Sequence, residues 1–174
     1  MSRVPGDFDV GAFSSALDEQ RAARGLTWSK LNRDINWISP ATLTRMRQGG
    51  EVGCHAVLPF IQWLGQTPES FTVGADDVEG ELLPDPGAGR WRWYWHPPEL
   101  HDALEARRIE RDMTWSDVAD ALGEHINELR HLEKSRYGTS MRLAMRAARW
   151  LGRSAASFMW EHDGRGLPWS GRRV

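Results

Sequence analysis

One self-similarity constrains this chain more than any other feature, because the stretch from Leu17 to Phe71 recurs 87 positions later. Leu17-Asp18-Glu19 matches Leu104-Glu105-Ala106, Thr27-Trp28-Ser29 matches Thr114-Trp115-Ser116, and Trp63-Leu64-Gly65 matches Trp150-Leu151-Gly152. Phe71 matches Phe158 at the same offset. In between, the offset slips to 86 where Leu43 meets Leu129, which implies one extra residue near Trp37 in the first copy and one near Tyr137 in the second. Both slips fall where a turn or loop is expected. The matched positions are mainly apolar, capping or turn residues, so the chain must build one scaffold twice and dress it with two different surfaces.

Each copy has helical apolar spacing. Phe13, Ala16, Leu17 and Gln20 follow an i, i+3, i+4, i+7 pattern with one polar exception, and Leu100, Ala103, Leu104 and Arg107 repeat it. Thr27 and Thr114 are N-cap residues for a second helix that carries Leu31 and Ile35, or Val118 and Leu122, inward. Asn36 and Gly123 stand where that helix must end, since both accept a left-handed conformation. Ser39-Pro40 then restarts a helix, with a cap followed by proline at the first helical position. This third helix is expected from Pro40 to Gln48, before Gly49-Gly50. Ser140 caps a run through Trp150, and Thr67-Pro68 and Ser154 each open a short last helix. Pro59 lacks a backbone donor and is expected to kink or delay the helix around it. Trp63 and Trp150 lie on apolar faces and read as core.

Composition narrows the class. With 174 residues, 40% hydrophobic and 26% charged, the chain lies within the ordinary globular range. Two units of about 60 residues would each be marginal, which makes efficient burial of the 10 Trp residues valuable. Cys54 is the single cysteine, excluding an internal disulfide framework and multi-cysteine zinc sites. There is no apolar run of about 18 residues, and Met1 to Val10 lacks the apolar core of a secretory signal, so a cytoplasmic location is expected. The net charge of −2 hides a division. Residues 1–72 balance 7 acidic against 7 basic side chains, residues 73–89 hold 5 acidic and no basic ones, and residues 90–174 hold 12 acidic and 15 basic. For a polyanion partner, the charge on the contacting face matters more than the mean.

The run Leu26-Thr27-Trp28-Ser29-Lys30-Leu31, then Ile38-Ser39-Pro40-Ala41-Thr42-Leu43-Thr44-Arg45-Met46, Trp63-Leu64-Gly65 and Pro68-Glu69-Ser70-Phe71, resembles the Cro and lambda-repressor type of helix-turn-helix domain. The resemblance covers about residues 9–72, and about 98–160 with weaker motifs, since His125-Ile126-Asn127-Glu128 replaces the Ser-Pro start. As a divergent tandem pair the chain resembles the immunity repressors of temperate actinobacterial phages. The resemblance implies an all-α fold of two tandem lambda-repressor-like domains. A first domain would occupy 1–72, an acidic Trp-rich linker 73–97, a second domain 98–160 and a basic tail 161–174. It further implies that the third helix of each domain enters the major groove while the second crosses the backbone.

Carried over position by position, the base-reading set in the first domain is Pro40, Ala41, Thr42, Thr44 and Arg45. Arg45 matters most, because a guanidinium pairs bidentately with guanine O6 and N7. In the second domain the matching set is Asn127, Glu128, Arg130 and His131, preceded by Ile126. Asn127 suits adenine and Arg130 suits guanine, whereas Glu128 repels phosphate unless it accepts from a cytosine amino group or pairs with a cation. Backbone contacts are expected from Thr27, Trp28, Ser29, Arg47 and Gln48, and from Thr114, Trp115, Ser116, Lys134, Arg136, Tyr137 and Thr139. For Trp28 and Trp115, packing and an indole donor to phosphate are both open readings. Each charged position has solvation as its plain alternative.

Trp91, Trp93 and Trp95 share one side of an extended segment at a period of two, so the preferred reading is that they pin the linker onto a domain. Interleaved with Arg90 and Arg92 they would alternatively stack single-stranded bases. For the basic tail and Arg3, disorder and contact along the phosphate backbone are both open readings. No His-Glu-x-x-His, phosphate-loop or Gly-x-Ser-x-Gly run is present, so no enzyme and no cofactor are expected. The sequence therefore points to a repressor of double-stranded operator DNA whose two domains read adjacent major grooves of an asymmetric site. The chain would act as a monomer, with a homodimer left open. The 25-residue connector, if extended, would exceed the ~34 Å between successive groove faces and act as a tether. Its acidic Asp76, Asp77, Glu79, Glu81 and Asp85 would keep it off phosphate. In the competing reading only the first domain reads DNA, as in an antitoxin or homodimeric regulator, and the second mediates oligomerisation or partner binding.

Overall fold

Helices start where side-chain caps are available to satisfy the orphan amides of a first turn. The computed structural model describes residues 4–35, 38–74, 77–83, 93–135 and 138–161. Asp9 accepts from the Ala12 amide and opens α1 (Val10–Ala23), and Thr27 accepts from Lys30 and opens α2 (Trp28–Ile35). Ser39 accepts from Thr42 and opens α3 (Pro40–Arg47), one residue shorter than expected because Gln48 is its C-cap. α4 (Cys54–Leu64) follows, ending on a left-handed Gly65, and Thr67 caps a 3-10 turn over Pro68–Phe71. The series then repeats as α5 (Pro97–Glu110), α6 (Trp115–Leu122), α7 (Ile126–Leu132), α8 (Met141–Leu151) and a 3-10 turn over Ala155–Phe158. The chain is thus mostly helical, as the periodicity requires.

The exception is a two-stranded antiparallel sheet, β1 (Trp93–Trp95) against β2 (Met159–Glu161), with Trp95 opposite Met159. Its counterpart 87 residues earlier is the isolated antiparallel bridge between Phe8 and Thr72. Each copy is therefore closed by an extended segment ahead of its first helix, paired to the residues after its last turn. The second copy begins at β1, inside the stretch expected to be linker. Trp95 is buried edge-on against Phe158 at 5.8 Å, so it belongs to that copy's core. Trp91 lies outside the described residues.

Phe13, Leu17, Leu31, Met46 and Phe60 in the first copy, and Leu100, Leu104, Leu129 and Phe158 in the second, are all but sealed from solvent within one continuous apolar cluster. Trp63 and Trp150 are not among them. Both pack against that cluster but are only half-buried, each with one face covered by a guanidinium, Arg24 at 4.4 Å and Arg111 at 5.2 Å, so their reading as core is corrected to the core's margin. Pro59 does not delay α4, which begins five residues earlier and runs through it. Burial of Ala56 through Ile61 offsets the one missing donor.

The copies pack on each other instead of hanging on a tether. The Cys54 amide donates to the Thr139 carbonyl at 2.9 Å and the Met141 amide to the Val52 carbonyl at 2.9 Å, on either side of a bridge between Gly53 and Ser140. Arg146 crosses the junction. Its guanidinium, 10% exposed, pairs with Asp7 at 2.6 Å and Glu124 at 3.1 Å and donates to the carbonyls of Leu122 and Gly123. Its stem lies so close to Gly6 that a Cβ there would sit 3.1 Å from Arg146 Cγ, and Gly6 also has φ +94°. The connector is occupied too. Arg149 donates to the Gly74 carbonyl and pairs with Asp77, the Glu81 amide donates to Ser154 Oγ, and Leu83 is buried. The expectation of a free extended spacer fails for these residues because Arg149, Ser154 and an apolar surface hold them.

Glu69 is the other junction charge. It is buried on the last turn of the first copy, where its Oε1 accepts from the Ala155 amide at 2.8 Å and lies 3.4 Å from Ser154 Oγ. Burial pushes its pKa above the ordinary carboxylate value, more than these donors lower it. A raised folded pKa contributes stability that is complete below the unfolded value and is lost as pH rises through the folded value. Glu69→Gln should therefore gain on the native chain as pH goes from acid to neutral in urea unfolding; a pH-independent difference would contradict this. Arg146→Ala should cost about 1–3 kcal/mol, since it removes the cation paired with Asp7, one of the two on buried Glu124, and the donor to the Leu122 and Gly123 carbonyls, and the same unfolding curves measure it.

Candidate nucleic-acid interface

The α2–α3 corner is held by a side chain that the sequence reading passed over. Asn32 donates through Nδ2 to the Ile38 carbonyl at 2.8 Å and accepts from the Ile38 amide at 2.9 Å, gripping both backbone groups just ahead of the Ser39 cap. This fixes where α3 starts relative to α2. The second copy has Ala119 at the matching position and uses other means. A reciprocal capping box joins Thr114 and Asp117, whose carboxyl the Thr114 hydroxyl and amide hold below its ordinary value. Gly123 then ends α6 at φ 62°, as expected from its sequence, and Glu124 beside it is held by Arg142 and Arg146. Asn36 lies outside the described residues.

With its inner side sealed by Met46, α3 turns Pro40, Ala41, Thr44 and Arg45 to solvent, and Arg47 and Gln48 follow at its end. Thr42 is half-buried, with its hydroxyl 2.9 Å from Ser39 Oγ, so it serves the cap. Arg45 folds its stem over Gly50, where a Cβ would sit 2.7 Å from Arg45 Cγ. Only a glycine leaves that path open. In α7, Leu129 and Leu132 are buried while Asn127, Glu128, Arg130 and His131 are exposed, with Lys134 beyond the end. The structure thus gathers the sequence-derived candidates other than Thr42 onto two short exposed ridges.

The backbone-contact set divides. Thr27, Ser29, Thr114 and Ser116 are exposed at the starts of α2 and α6. Trp28 and Trp115 are half-buried, and both pack against the core. Trp28 lies beneath Arg21 at 5.1 Å and Arg47 at 4.9 Å, while Trp115 meets Arg108 at 5.7 Å and stacks on His101 at 5.0 Å. Arg21 also binds Asp18 and the Leu26 carbonyl, and Arg108 binds Glu105 and the Met113 carbonyl, an equivalent clamp 87 residues apart. The recurrence of Arg21 at Arg108 was visible in the sequence; the partner set was not. Thr139 is corrected: the residue is 1% exposed and its carbonyl is spent on Cys54, so it belongs to the junction. Arg136 and Tyr137 lie outside the described residues, as do Arg3 and residues 162–174.

The two ridges differ in charge. Around α2 and α3 the exposed ionic groups are Lys30, Arg33, Arg45 and Arg47 against Asp34, whereas around α6 and α7 they are Arg130 and Lys134 against Asp117, Asp120, Glu128 and Glu133. The first ridge is cationic and the second acidic among the described residues. Among the described residues there is no cluster of His, Cys, Asp and Glu fit to hold a metal, and no helix long and apolar enough to cross a membrane. No family model, curated protein or solved structure matches the chain.

Replacing Asn32 by Ala removes two hydrogen bonds to a partly buried backbone pair. It should cost about 1–3 kcal/mol in chemical denaturation. An unchanged midpoint would show that the corner is held by other contacts.

Proposed function

We propose that the chain is a sequence-specific double-stranded DNA-binding repressor in which α2–α3 and α6–α7 act as tandem helix-turn-helix units. Each inserts its second helix into a major groove of one asymmetric operator, in the cytoplasm of a bacterial host. The observation that carries this reading is the α3 ridge: a proline-started, Ser-capped short helix presents Ala41, Thr44 and Arg45 on a cationic surface. Exposed arginine at such a position suits the O6 and N7 acceptors of guanine, and small neighbours permit close approach to base edges. Arg47 over Trp28 and Lys30 beside it suit phosphates on either side.

A second reading has its own support. The acidic surface of α6 and α7 opposes phosphate, which favours a chain whose first unit binds DNA and whose second binds a partner. The distinction is experimental. Arg45→Ala should weaken binding to the selected duplex by about 1–3 kcal/mol while leaving random duplex nearly unaffected. Lys134→Ala should weaken all duplexes alike and flatten the salt dependence if α7 lies on DNA, and should do nothing if it does not. Equal losses on specific and random DNA for Arg45→Ala would refute base reading by α3.

A further inference from the structure

We propose that the two half-sites read by this chain are an inverted repeat with unequal halves, because the copies are related by an internal two-fold axis. This rests on the DNA-reading function proposed above. The axis is seen in the junction bonds. Cys54 and Met141 are equivalent positions at the 87-residue offset, as are Val52 and Thr139, and the two hydrogen bonds, Cys54 to Thr139 and Met141 to Val52, exchange under that equivalence with the same length of 2.9 Å. The bridge between them pairs Gly53 with its own equivalent, Ser140. Such reciprocity, in which i meets j and j meets i, is the mark of an isologous interface; a head-to-tail tandem packs two different surfaces together.

Independent contacts agree. Residues 6–7 of the first copy lie against Arg146 of α8, and β1, which holds their equivalents 93–94, lies against α4 of the first copy. Glu69 on the last turn of one copy meets Ala155 on the last turn of the other.

A two-fold axis places equivalent helices at the same height along it and reverses their direction across it, so α3 and α7 face the same way in opposite senses. From Arg47 to Gly53 the chain reaches at most about 20 Å and from Leu132 to Ser140 at most about 28 Å, which, with the bridge between them, keeps the two helix ends within about 50 Å of each other. That range includes the ~34 Å between adjacent faces of a duplex groove. B-DNA has dyads perpendicular to its axis, and inverted half-sites are the arrangement they relate. The halves must differ, because Ala41, Thr44 and Arg45 on one ridge are replaced by Asn127, Arg130 and His131 on the other. Arg146 and the main-chain bridge hold this relation, so spacing and orientation are fixed together.

The test is selection of duplexes from a random pool with the full chain, followed by affinity measurements on the selected duplex and two redesigns. One redesign reverses a single half-site; the other inserts about five base pairs, half a helical turn, between the halves. Two unequal inverted halves are expected, each redesign should lower affinity about 100-fold, and Arg45→Ala should relax selection in one half alone. Selection of a direct repeat, or indifference to the reversal, would overturn the inverted arrangement while leaving DNA reading intact. A single selected half-site would overturn it in favour of a partner-binding second unit. Failure to select any duplex would instead remove the DNA-reading proposal on which it depends.

Discussion

The main-chain exchange at Gly53 and Ser140 is the constraint on which the rest of the molecule depends. Two amides donate to two carbonyls across it, and the apolar cluster of each copy continues into the other behind them. Backbone groups buried at a junction must be paired, and here each copy supplies what its equivalent lacks. The consequence reaches the surface, because α4 and α8 begin at this bridge and the loops from α3 and α7 lead into it. What fixes the core also fixes the two ridges. Arg146 adds an ionic lock whose partners come from both copies.

Much of the local structure was legible. Caps at Thr27, Ser39, Thr114 and Ser140, the stop at Gly123 and the inward faces of Leu17 and Leu104 are short-range consequences of side-chain chemistry, and each stands where the sequence places it. The packing of the copies was not legible. It depends on main-chain groups that every residue carries, on the reach of Arg146, and on a buried Glu69 that by composition reads as surface. Thr139 was misplaced for the same reason, since a polar residue in a loop gives no sign that its backbone is spent on the other copy.

Trp95 was half legible. Its period-two spacing with Trp93 pointed to an extended segment, but not to the pairing with Met159 that makes it the counterpart of Phe8. Trp63 and Trp150 show the opposite error. Their apolar helical positions suggested core, yet each packs only against its margin, half-buried, with Arg24 or Arg111 over one face of the indole. Periodicity identifies the inward side of a helix without saying how far inward a large ring extends. The exposed ridges were the most legible part, because exposure of Ala41, Thr44 and Arg45 follows from the helical turn once Met46 is buried.

On the proposed reading, duplication followed by divergence has turned a symmetric scaffold into a device for an unequal site. The scaffold keeps the paired clamps of Arg21 and Arg108, while the surfaces separate into a cationic and an acidic ridge. A chain that carries its own two-fold partner has no need of a second copy to cover two half-sites. The most direct measurement is therefore the mass of the complex with its selected duplex in sedimentation. The account predicts one chain per duplex across a range of protein concentrations, and two chains sharing a single operator would contradict it.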